Sequence, residues 1–408
     1  MKPDPVPQGP AAPGGAIAAI VPTYERPGLL RECVASLLAQ TRPLADILIV
    51  DDGSSLDVAA ELAGLAGPIR LIRQPNRGKA AALNLGLCEV RGDYVWICDD
   101  DDLALPEAAE ALGGALDASG AGFAYGGYLR FSEEGGRREL FGPGYQPPPH
   151  DVADTFHALL DDMFVFQFAT LVRRGAFAAV GPFREDLVRS VDYEMILRLA
   201  RRFPAARIEG PVFLQREHAG ERGSSADRFA AADAFDKWIA YDQKIFTELR
   251  AALPIEAYAP NGLAPAPPQV RLRAAYLKRA AVMARRKLWN EAAEDLRQSA
   301  RLGREAWPID AERDIAAAAL AGKYGCPELL ETPALLGALR AALRQSPYGR
   351  RLLPAFARPL RWRARAALRS RRPVEAAAYA AAFCRLLAPL PARAPPPLSD
   401  PRPRGARG

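Results

Sequence analysis

The first hundred residues alternate short apolar runs with segments of helical periodicity. Apolar runs at 16–21, 47–50, 69–72 and 94–98 predict buried strands, and the segments between them predict helices, as at 79–90. Strands joined by helices in this order form a mostly parallel sheet with helices on both faces. The alternation therefore predicts an α/β domain built on a mixed, mainly parallel sheet.

Acidic residues follow two of these predicted strands. Asp51 and Asp52 come directly after the second, and a run of four aspartates, 99–102, comes after the fourth. Ligands of open α/β sheets bind at the carboxyl ends of the strands. Six carboxylates at one edge require a cation, and Mg²⁺ or Mn²⁺ binds one or two carboxylates together with substrate phosphates. The alternative is a solvated loop in which Asp102 caps a helix at 106–116.

Three further segments allow a functional and a structural interpretation. In the segment 76–86, Arg77 and Lys79 precede a helix, which favours an anion such as a diphosphate, but an ordinary loop fits equally well. Asp192 precedes an amphipathic helix, and spacing alone favours a helix cap over a general base. His218 is a candidate metal or phosphate ligand, although a lone loop histidine is more often neither.

Taken together, these motifs resemble those of family 2 glycosyltransferases of the GT-A (Rossmann-like) fold. The resemblance covers residues 17 to about 225, in the family's order and spacing. The motifs that carry it are Val21-Pro22-Thr23-Tyr24, Val50-Asp51-Asp52-Gly53-Ser54, Asn76-x-Gly78 with Asn84-x-Gly86, Gly92-Asp93-Tyr94, the aspartates 99–102 and Val191-Asp192-Tyr193.

The resemblance implies roles on the donor side of a site. Pro22 and Tyr24 would border the nucleotide base, and Asp52 would bind the base or the ribose. Asp99 or Asp100 would hold the ribose or the sugar. Two positions depart from the family pattern, because Glu25 replaces a frequent Asn and Leu83 replaces a frequent Arg. The second departure leaves Arg77 or Lys79 as the phosphate contact.

The resemblance also implies the catalytic and metal-binding residues. Asp192 matches the catalytic base, which reverses the interpretation from spacing alone. Asp101 would be the direct ligand of Mn²⁺ or Mg²⁺, and His218 resembles a downstream histidine that helps to bind metal or diphosphate in some members. The implied reaction is an inverting transfer from a nucleotide-diphosphate sugar, with UDP expected, to a hydroxyl of a saccharide or lipid-linked acceptor. Bacterial cell-surface polysaccharide or glycoconjugate synthesis is the expected setting.

Two alternatives stay open at this point. One is a catalytically silent GT-A-like binding protein with a helical interaction domain. The other is a nucleic-acid binder that uses the arginine-rich C-terminal helices, but such helices are more often solvated or in contact with anionic membranes. We therefore expect no nucleic-acid partner. A helical accessory domain that positions the acceptor or binds a partner is the favoured interpretation of the C-terminal half.

Composition sets the predicted domain limits and location. We expect a disordered tail at 1–15, a GT-A domain at 16–230, a helical accessory domain at 231–388 and a disordered Pro/Arg-rich tail at 389–408. The start shows no signal-peptide pattern, and no apolar run is long enough to span a membrane. Five cysteines without a CxxC favour a reducing compartment. A cytoplasmic location is expected, and peripheral contact with the inner face of the cell membrane stays open.

Overall fold

The chain divides into two compact units, Met1–Ala234 and Phe235–Gly408. The computed structural model describes residues 14–26, 28–134, 137–150, 152–217 and 234–388. Each unit is treated below by itself, as unit 1 and unit 2.

Unit 1 alternates strands and helices over its first hundred residues, as the apolar runs predict. Its elements are β1 (Ile17–Thr23), α1 (Leu29–Leu38), β2 (Asp46–Asp51), α2 (Val58–Leu62), β3 (Ile69–Arg73), α3 (Lys79–Glu89), β4 (Tyr94–Ile97), β5 (Leu103–Ala104), α4 (Ala108–Asp117), β6 (Phe123–Glu134), β7 (Arg137–Tyr145), α5 (Thr155–Asp161), β8 (Thr170–Arg173), α6 (Arg174–Val180), α7 (Val191–Arg202) and β9 (Ala205–Arg216).

Within the described residues, the strands of unit 1 form one mixed sheet. Its order is β3-β2-β1-β4-β8-β6-β9-β5, with β7 paired to β6 outside this path. The pairs β2–β3, β1–β2, β1–β4 and β6–β9 are parallel. Antiparallel pairing joins β4 to β8, β8 to β6, β5 to β9 and β6 to β7. The fold class predicted from the sequence, a mixed sheet with helices and a helical C-terminal region, is confirmed.

Helices cover both faces of the parallel strands. All seven residues of β1 are buried, as expected for a strand between two helical layers. On one face Ile17, Ala19 and Val21 pack in a core that includes residues of α1 and α4. On the other face α3 comes so close that a Cβ on Gly86 would lie 2.6 Å from Ile20 Cγ2. The strand order and this packing bring the carboxyl ends of β2, β1 and β4 side by side.

Unit 2 is helical throughout its described part. Its helices are α8 (Ala234–Ala252), α9 (Pro268–Arg285), α10 (Trp289–Gly303), α11 (Asp310–Ala318), α12 (Glu328–Glu331), α13 (Pro333–Leu343), α14 (Pro347–Arg369) and α15 (Pro373–Leu387). Among the residues described, no helix has both the length and the apolar character needed to cross a membrane.

Candidate active site

Asp52, at the end of β2, is buried and fixes the loop that leads into α3. Its carboxylate accepts hydrogen bonds from Gln74 Nε2 at 2.7 Å, from Arg77 N at 2.9 Å and from Gly78 N at 2.8 Å. Gly53 follows at φ 83°, where a Cβ would lie 2.7 Å from Asn76 N. A glycine is therefore required at this turn, because any larger residue would collide with the loop that Asp52 holds.

The four aspartates after β4 have different partners. Asp99 forms an ion pair with Lys79, and Arg26 forms ion pairs with both Asp100 and Asp101. Asp102 is buried and accepts a hydrogen bond from Arg216 N at 2.8 Å. The suggestion that Asp102 caps the following helix is wrong, since that helix begins at Ala108 with Glu107 at its N-cap position.

Burial makes two of these carboxylates hard to ionise. Asp100 is 6% exposed. Desolvation raises its pKa to about 7, with Asp101 adding to the rise, while Arg26 and a hydrogen bond from Thr23 Oγ1 at 2.7 Å oppose it. Burial, with Asp101 and Asp99 nearby, likewise holds the pKa of Asp102 well above its ordinary value. The edge thus carries less negative charge than its sequence indicates.

The aspartates fit a divalent cation only in part. Among the described residues, no three acidic, histidine or cysteine side chains converge as a metal site would require. Asp99 and Asp101 still expose 34% and 17% of their side chains, and each is paired with a basic group. Such a donor set suits a cation held by one or two carboxylates and completed by phosphates, the mode that Mg²⁺ prefers. The predicted ligand His218 lies outside the described residues.

Lys79, the first residue of α3, connects the aspartates to α7. Desolvation lowers the pKa of its ammonium group, but Asp99 and Asp192 outweigh this and hold that pKa above its ordinary value. The same side chain therefore feels a carboxylate after β4 and another on α7. Arg77, the other predicted phosphate contact, instead pairs with Glu185 at 2.9 Å.

Asp192 lies in the first turn of α7 and does not cap it. The helix begins at Val191, and Ser190, at φ 55°, is the N-cap residue, so the cap interpretation from spacing is wrong. The carboxylate accepts a hydrogen bond from Tyr193 N at 2.9 Å. Burial raises its pKa, and the attraction of Lys79 opposes the rise. A carboxylate with a raised pKa accepts a proton more readily than an exposed one.

A mainly apolar cavity lies beside Asp192. It offers about 20 Å³ to the centre of a water molecule, which is room for about one. Gln167 is 8% exposed, and within the described part of the chain its side-chain Oε1 and Nε2 have no hydrogen-bond partner. The polar side chains of the lining are those of Gln167, Thr170 and Asp192; the apolar ones include Val95, Ile97, Val172, Phe177, Phe183, Met195, Ile196 and Leu199.

Two residues that the sequence motifs left without a role fix this edge. Glu25 accepts from Ser55 N at 2.6 Å and from Ser55 Oγ at 3.0 Å, so it ties the loop after β1 to the loop after β2. Arg216, at the end of β9, donates to Glu133 at 2.6 Å and to Glu32 at 2.7 Å. Glu25 directly follows the motif Val21–Tyr24, but no sequence pattern indicates that Ser55 is its partner.

The remaining predicted contacts lie where the strand order places them. Pro22 is buried within β1, in register with Val50 of β2. Tyr24 follows the strand and is half-buried. Asn84 donates to Phe183 O at 3.0 Å and accepts from Phe183 N at 2.7 Å, which ties α3 to the segment before α7. The structure therefore gathers Asp99, Asp100, Asp101, Lys79 and Asp192, with Asp52 and Tyr24 on the neighbouring strand ends.

Comparison with known proteins covers the part of this edge that lies before residue 182. Residues 18–181 match the family model described as "Glycosyl transferase family 2". The "Glycosyltransferase GlyA" of Streptococcus pneumoniae is 31% identical over 160 residues, 38% of this chain and 23% of that protein. The "Succinoglycan biosynthesis protein ExoW" of Rhizobium meliloti is 41% identical over 98 residues, 22% of this chain and 31% of that protein. The chain thus spans about a quarter to a third of these relatives.

One solved structure aligns with this chain at low identity. The TarS protein of S. aureus, residues 1–349 in complex with UDP-GlcNAc, aligns with 85% of this chain and 91% of its own. The sequence identity is 14% and the TM-score is 0.47.

Proposed function

Since residues 18–181 match the model of glycosyltransferase family 2, we propose that the protein is an inverting glycosyltransferase. It moves a sugar from a nucleotide-diphosphate donor to a hydroxyl acceptor, and a UDP-sugar is the expected donor. The observation that carries the proposal is Lys79, which pairs with Asp99 and is attracted to Asp192. One side chain thereby couples the proposed donor site to the proposed base.

The donor lies along the carboxyl ends of β1, β2 and β4. Pro22 and Tyr24 border the base, and Asp52 orders the loop that receives the base or ribose. Asp99 or Asp100 holds the ribose or the sugar. The diphosphate lies at the start of α3, where the helix N-terminus and Lys79 attract negative charge.

Asp101, with Asp99 beside it, would hold Mn²⁺ or Mg²⁺ together with the donor phosphates, and His218 is a further candidate ligand. When bound, the cation supplies positive charge to the leaving diphosphate. Arg26 and Lys79 pair with these aspartates in the metal-free protein, so a cation there would compete with them for the carboxylate oxygens. Lys79 would then be able to contact a phosphate.

Asp192 removes the proton from the acceptor hydroxyl. The oxygen forms a bond to the anomeric carbon as the bond from that carbon to the diphosphate oxygen breaks, so the configuration inverts in a single displacement. The electron pair of the broken bond leaves with the nucleotide diphosphate, and the proton stays on Asp192. Its raised pKa suits this task, because the carboxylate must hold the proton while the new bond forms.

The acceptor is a saccharide or a lipid-linked saccharide, in bacterial cell-surface polysaccharide or glycoconjugate synthesis. The name of the Rhizobium relative, a succinoglycan biosynthesis protein, supports this setting. A lipid-linked acceptor fits a cytoplasmic protein in peripheral contact with the inner face of the membrane. No nucleic-acid partner is expected for the catalytic domain.

One observation favours a second candidate, a catalytically silent binding protein. Arg26 and Lys79 already neutralise the aspartates that would hold the metal and the sugar. A domain whose acidic edge is permanently occupied by its own cations would bind a ligand through other groups and release no nucleotide. Turnover of a donor separates the two candidates.

The test is nucleotide release from UDP-, GDP- and dTDP-sugars by the full chain, with and without Mn²⁺. We expect one donor to be consumed in a metal-dependent manner, and Asp101→Asn to remove that dependence together with the activity. Glu107→Gln, an exposed acid at the start of α4, is the matched control and should behave as wild type. Nucleotide release that changes neither on removal of the metal nor in Asp101→Asn would contradict the mechanism. Absence of nucleotide release from every donor would favour the silent binding protein.

A further inference from the structure

The C-terminal part of unit 2 contains a long segment of one charge. Residues 332–374 hold eleven arginines and no Asp, Glu or Lys; the arginines are Arg340, Arg344, Arg350, Arg351, Arg358, Arg361, Arg363, Arg365, Arg369, Arg371 and Arg372. The segment includes all of α14. So concentrated a charge needs a counter-charge from elsewhere in the protein or from a partner.

Part of this charge lies on one exposed face of α14. Arg361, Trp362, Arg365 and Arg369 recur at helical spacing and are all exposed, Trp362 by 50%. We call these four residues the Arg–Trp face. Arg358, one turn earlier, stacks on the Trp362 ring at 5.2 Å and holds it in place on the helix.

Two exposed aliphatic side chains lie close to the Arg–Trp face along the chain. Leu368 is 60% exposed, and Val374, at the start of α15, is 84% exposed. The exposed Arg371 lies between them in the chain. Large apolar groups in water cost free energy, so a surface that combines them with arginines is suited to a partner that takes up both.

Two arginines in the interior of unit 2 are engaged with carboxylates. Arg273 binds Glu312 and Arg279 binds Asp295, each through two hydrogen bonds. Within the described residues, Arg361, Arg365 and Arg369 have no carboxylate within ion-pair distance. These three arginines are therefore available to an external anion.

We propose that the Arg–Trp face, with Leu368 and Val374, docks this protein on an anionic membrane surface. Arginines there meet lipid phosphates while their aliphatic stems lie along the interface. Tryptophan favours the level of the headgroups, and leucine and valine enter the adjoining acyl region. Nucleic acid would also attract the arginines and stack on Trp362, but it offers no apolar region for the two aliphatic side chains. Leu368 and Val374 therefore favour a membrane over nucleic acid as the partner.

For the proposed enzyme, such a surface brings the chain to a lipid-linked acceptor, and that consequence rests on the proposed function. The docking itself does not, because it involves no residue of the candidate active site. A binding experiment without donor or metal therefore tests the docking alone, and its failure would leave the proposed transfer untouched.

The experiment is cosedimentation of the full chain with vesicles of phosphatidylcholine, with or without about one third phosphatidylglycerol. We expect binding to the anionic vesicles that weakens steeply as NaCl rises from about 0.1 M to about 0.5 M. The triple variant Arg361→Gln, Arg365→Gln, Arg369→Gln should bind on the order of 100-fold more weakly, since each arginine contributes about fivefold.

A matched triple variant controls for the loss of net charge. Arg201, Arg271 and Arg301 are also exposed, and replacing them with Gln removes the same charge from other helices. We expect this control to keep most of the vesicle binding. Equal losses in the two triple variants, or equal binding to neutral and anionic vesicles, would overturn the proposal.

Two further readouts separate the membrane from nucleic acid. Brominated lipids should quench tryptophan fluorescence in wild type and much less in Trp362→Phe, because Trp362 enters the interface. Leu368→Ser with Val374→Ser should weaken vesicle binding and leave any binding of random DNA unchanged. Tighter binding to random DNA than to anionic vesicles at the same salt, reduced in the Arg–Trp triple variant, would overturn the membrane in favour of nucleic acid.

Discussion

Carboxylates meet arginines inside both units, but under different conditions. In unit 2, Glu312 is fully buried and accepts from Arg273 Nε at 2.5 Å, from Arg273 Nη2 at 3.0 Å and from Tyr348 Oη at 2.9 Å. In unit 1, Asp100 is almost as buried, yet Arg26 reaches it only at 3.3 Å while also pairing with Asp101. Glu312 therefore has a guanidinium group to itself, whereas Asp100 shares the guanidinium group of Arg26 with Asp101.

This difference distinguishes an ion pair that stabilises the fold from one that lies at a candidate ligand site. Groups with raised pKa values gather at functional sites, because the same burial that suits a ligand is costly without it. The pKa of Asp100 is raised to about 7 by burial, with only partial relief from Arg26. The acidic edge of unit 1 is thus electrostatically incomplete, whereas the helical core of unit 2 is complete.

The largest expected effect comes from breaking the complete pair. Glu312→Ala leaves the Arg273 guanidinium buried without its acceptor, and it also removes the acceptor of Ile309 N. We expect the free energy of unfolding of unit 2 to fall by about 3–5 kcal/mol. Denaturant unfolding of the full chain measures this, with Glu331→Ala, an exposed acid at the end of α12, as the control. A loss as small as the control's would contradict a structural role for the pair.

The incomplete site should show itself in the pH dependence of stability. In the metal-free protein, Asp100 holds its proton up to a pKa of about 7 when folded, but ionises near 4 when unfolded. Because the pKa of this acid is higher in the folded state, its contribution to the free energy of unfolding is intact below about pH 4. That contribution is lost as the pH rises to about 7.

Asp100→Asn removes this loss. We therefore expect the variant to gain about 2–4 kcal/mol relative to wild type between about pH 4 and pH 7.5. Unfolding curves at several pH values, with a chelator present, measure the difference. A difference that stays constant with pH, or that changes in the opposite direction, would contradict the assignment.

A smaller effect is expected at the cavity beside Asp192. Replacing Gln167 with Leu removes two buried polar atoms that have no hydrogen-bond partner among the described residues, and it places an apolar side chain against apolar walls. We expect the free energy of unfolding of the variant to exceed that of wild type by about 1–2 kcal/mol. Gln167→Asn, which keeps the amide, should give no such gain. A clear loss of stability in Gln167→Leu would mean that the amide is satisfied in the folded protein.

The sequence predicted those parts of the fold that short-range patterns control. The apolar runs located β1, β2, β3 and β4, and the amphipathic helix predicted next to Asp192 corresponds to α7. Local spacing failed at Asp192, because a first-turn aspartate and an N-cap aspartate differ by only two positions. The role that the family resemblance gives Asp192, that of the base, stays a prediction.

The long-range contacts of the site could not be read from the sequence. The run of four aspartates predicted one cation site, but Asp102 turns inward to the backbone of Arg216, a residue 114 positions later. The sequence also predicted that the acidic edge would need a bound cation, whereas Arg26 and Lys79 supply charge from within the chain. Both outcomes depend on strand order, which brings β9 and α3 beside the residues that follow β4.

The measurement that bears most directly on the central claim is made on Asp192→Asn. Nucleotide binding and sugar transfer are measured on the same preparation, with the donor that the release assay selects. If Asp192 is the base at a donor site coupled through Lys79, donor affinity should be kept while transfer slows by about 10²–10⁴-fold. Transfer at the wild-type rate would contradict the claim, because the proton of the acceptor would then have another destination.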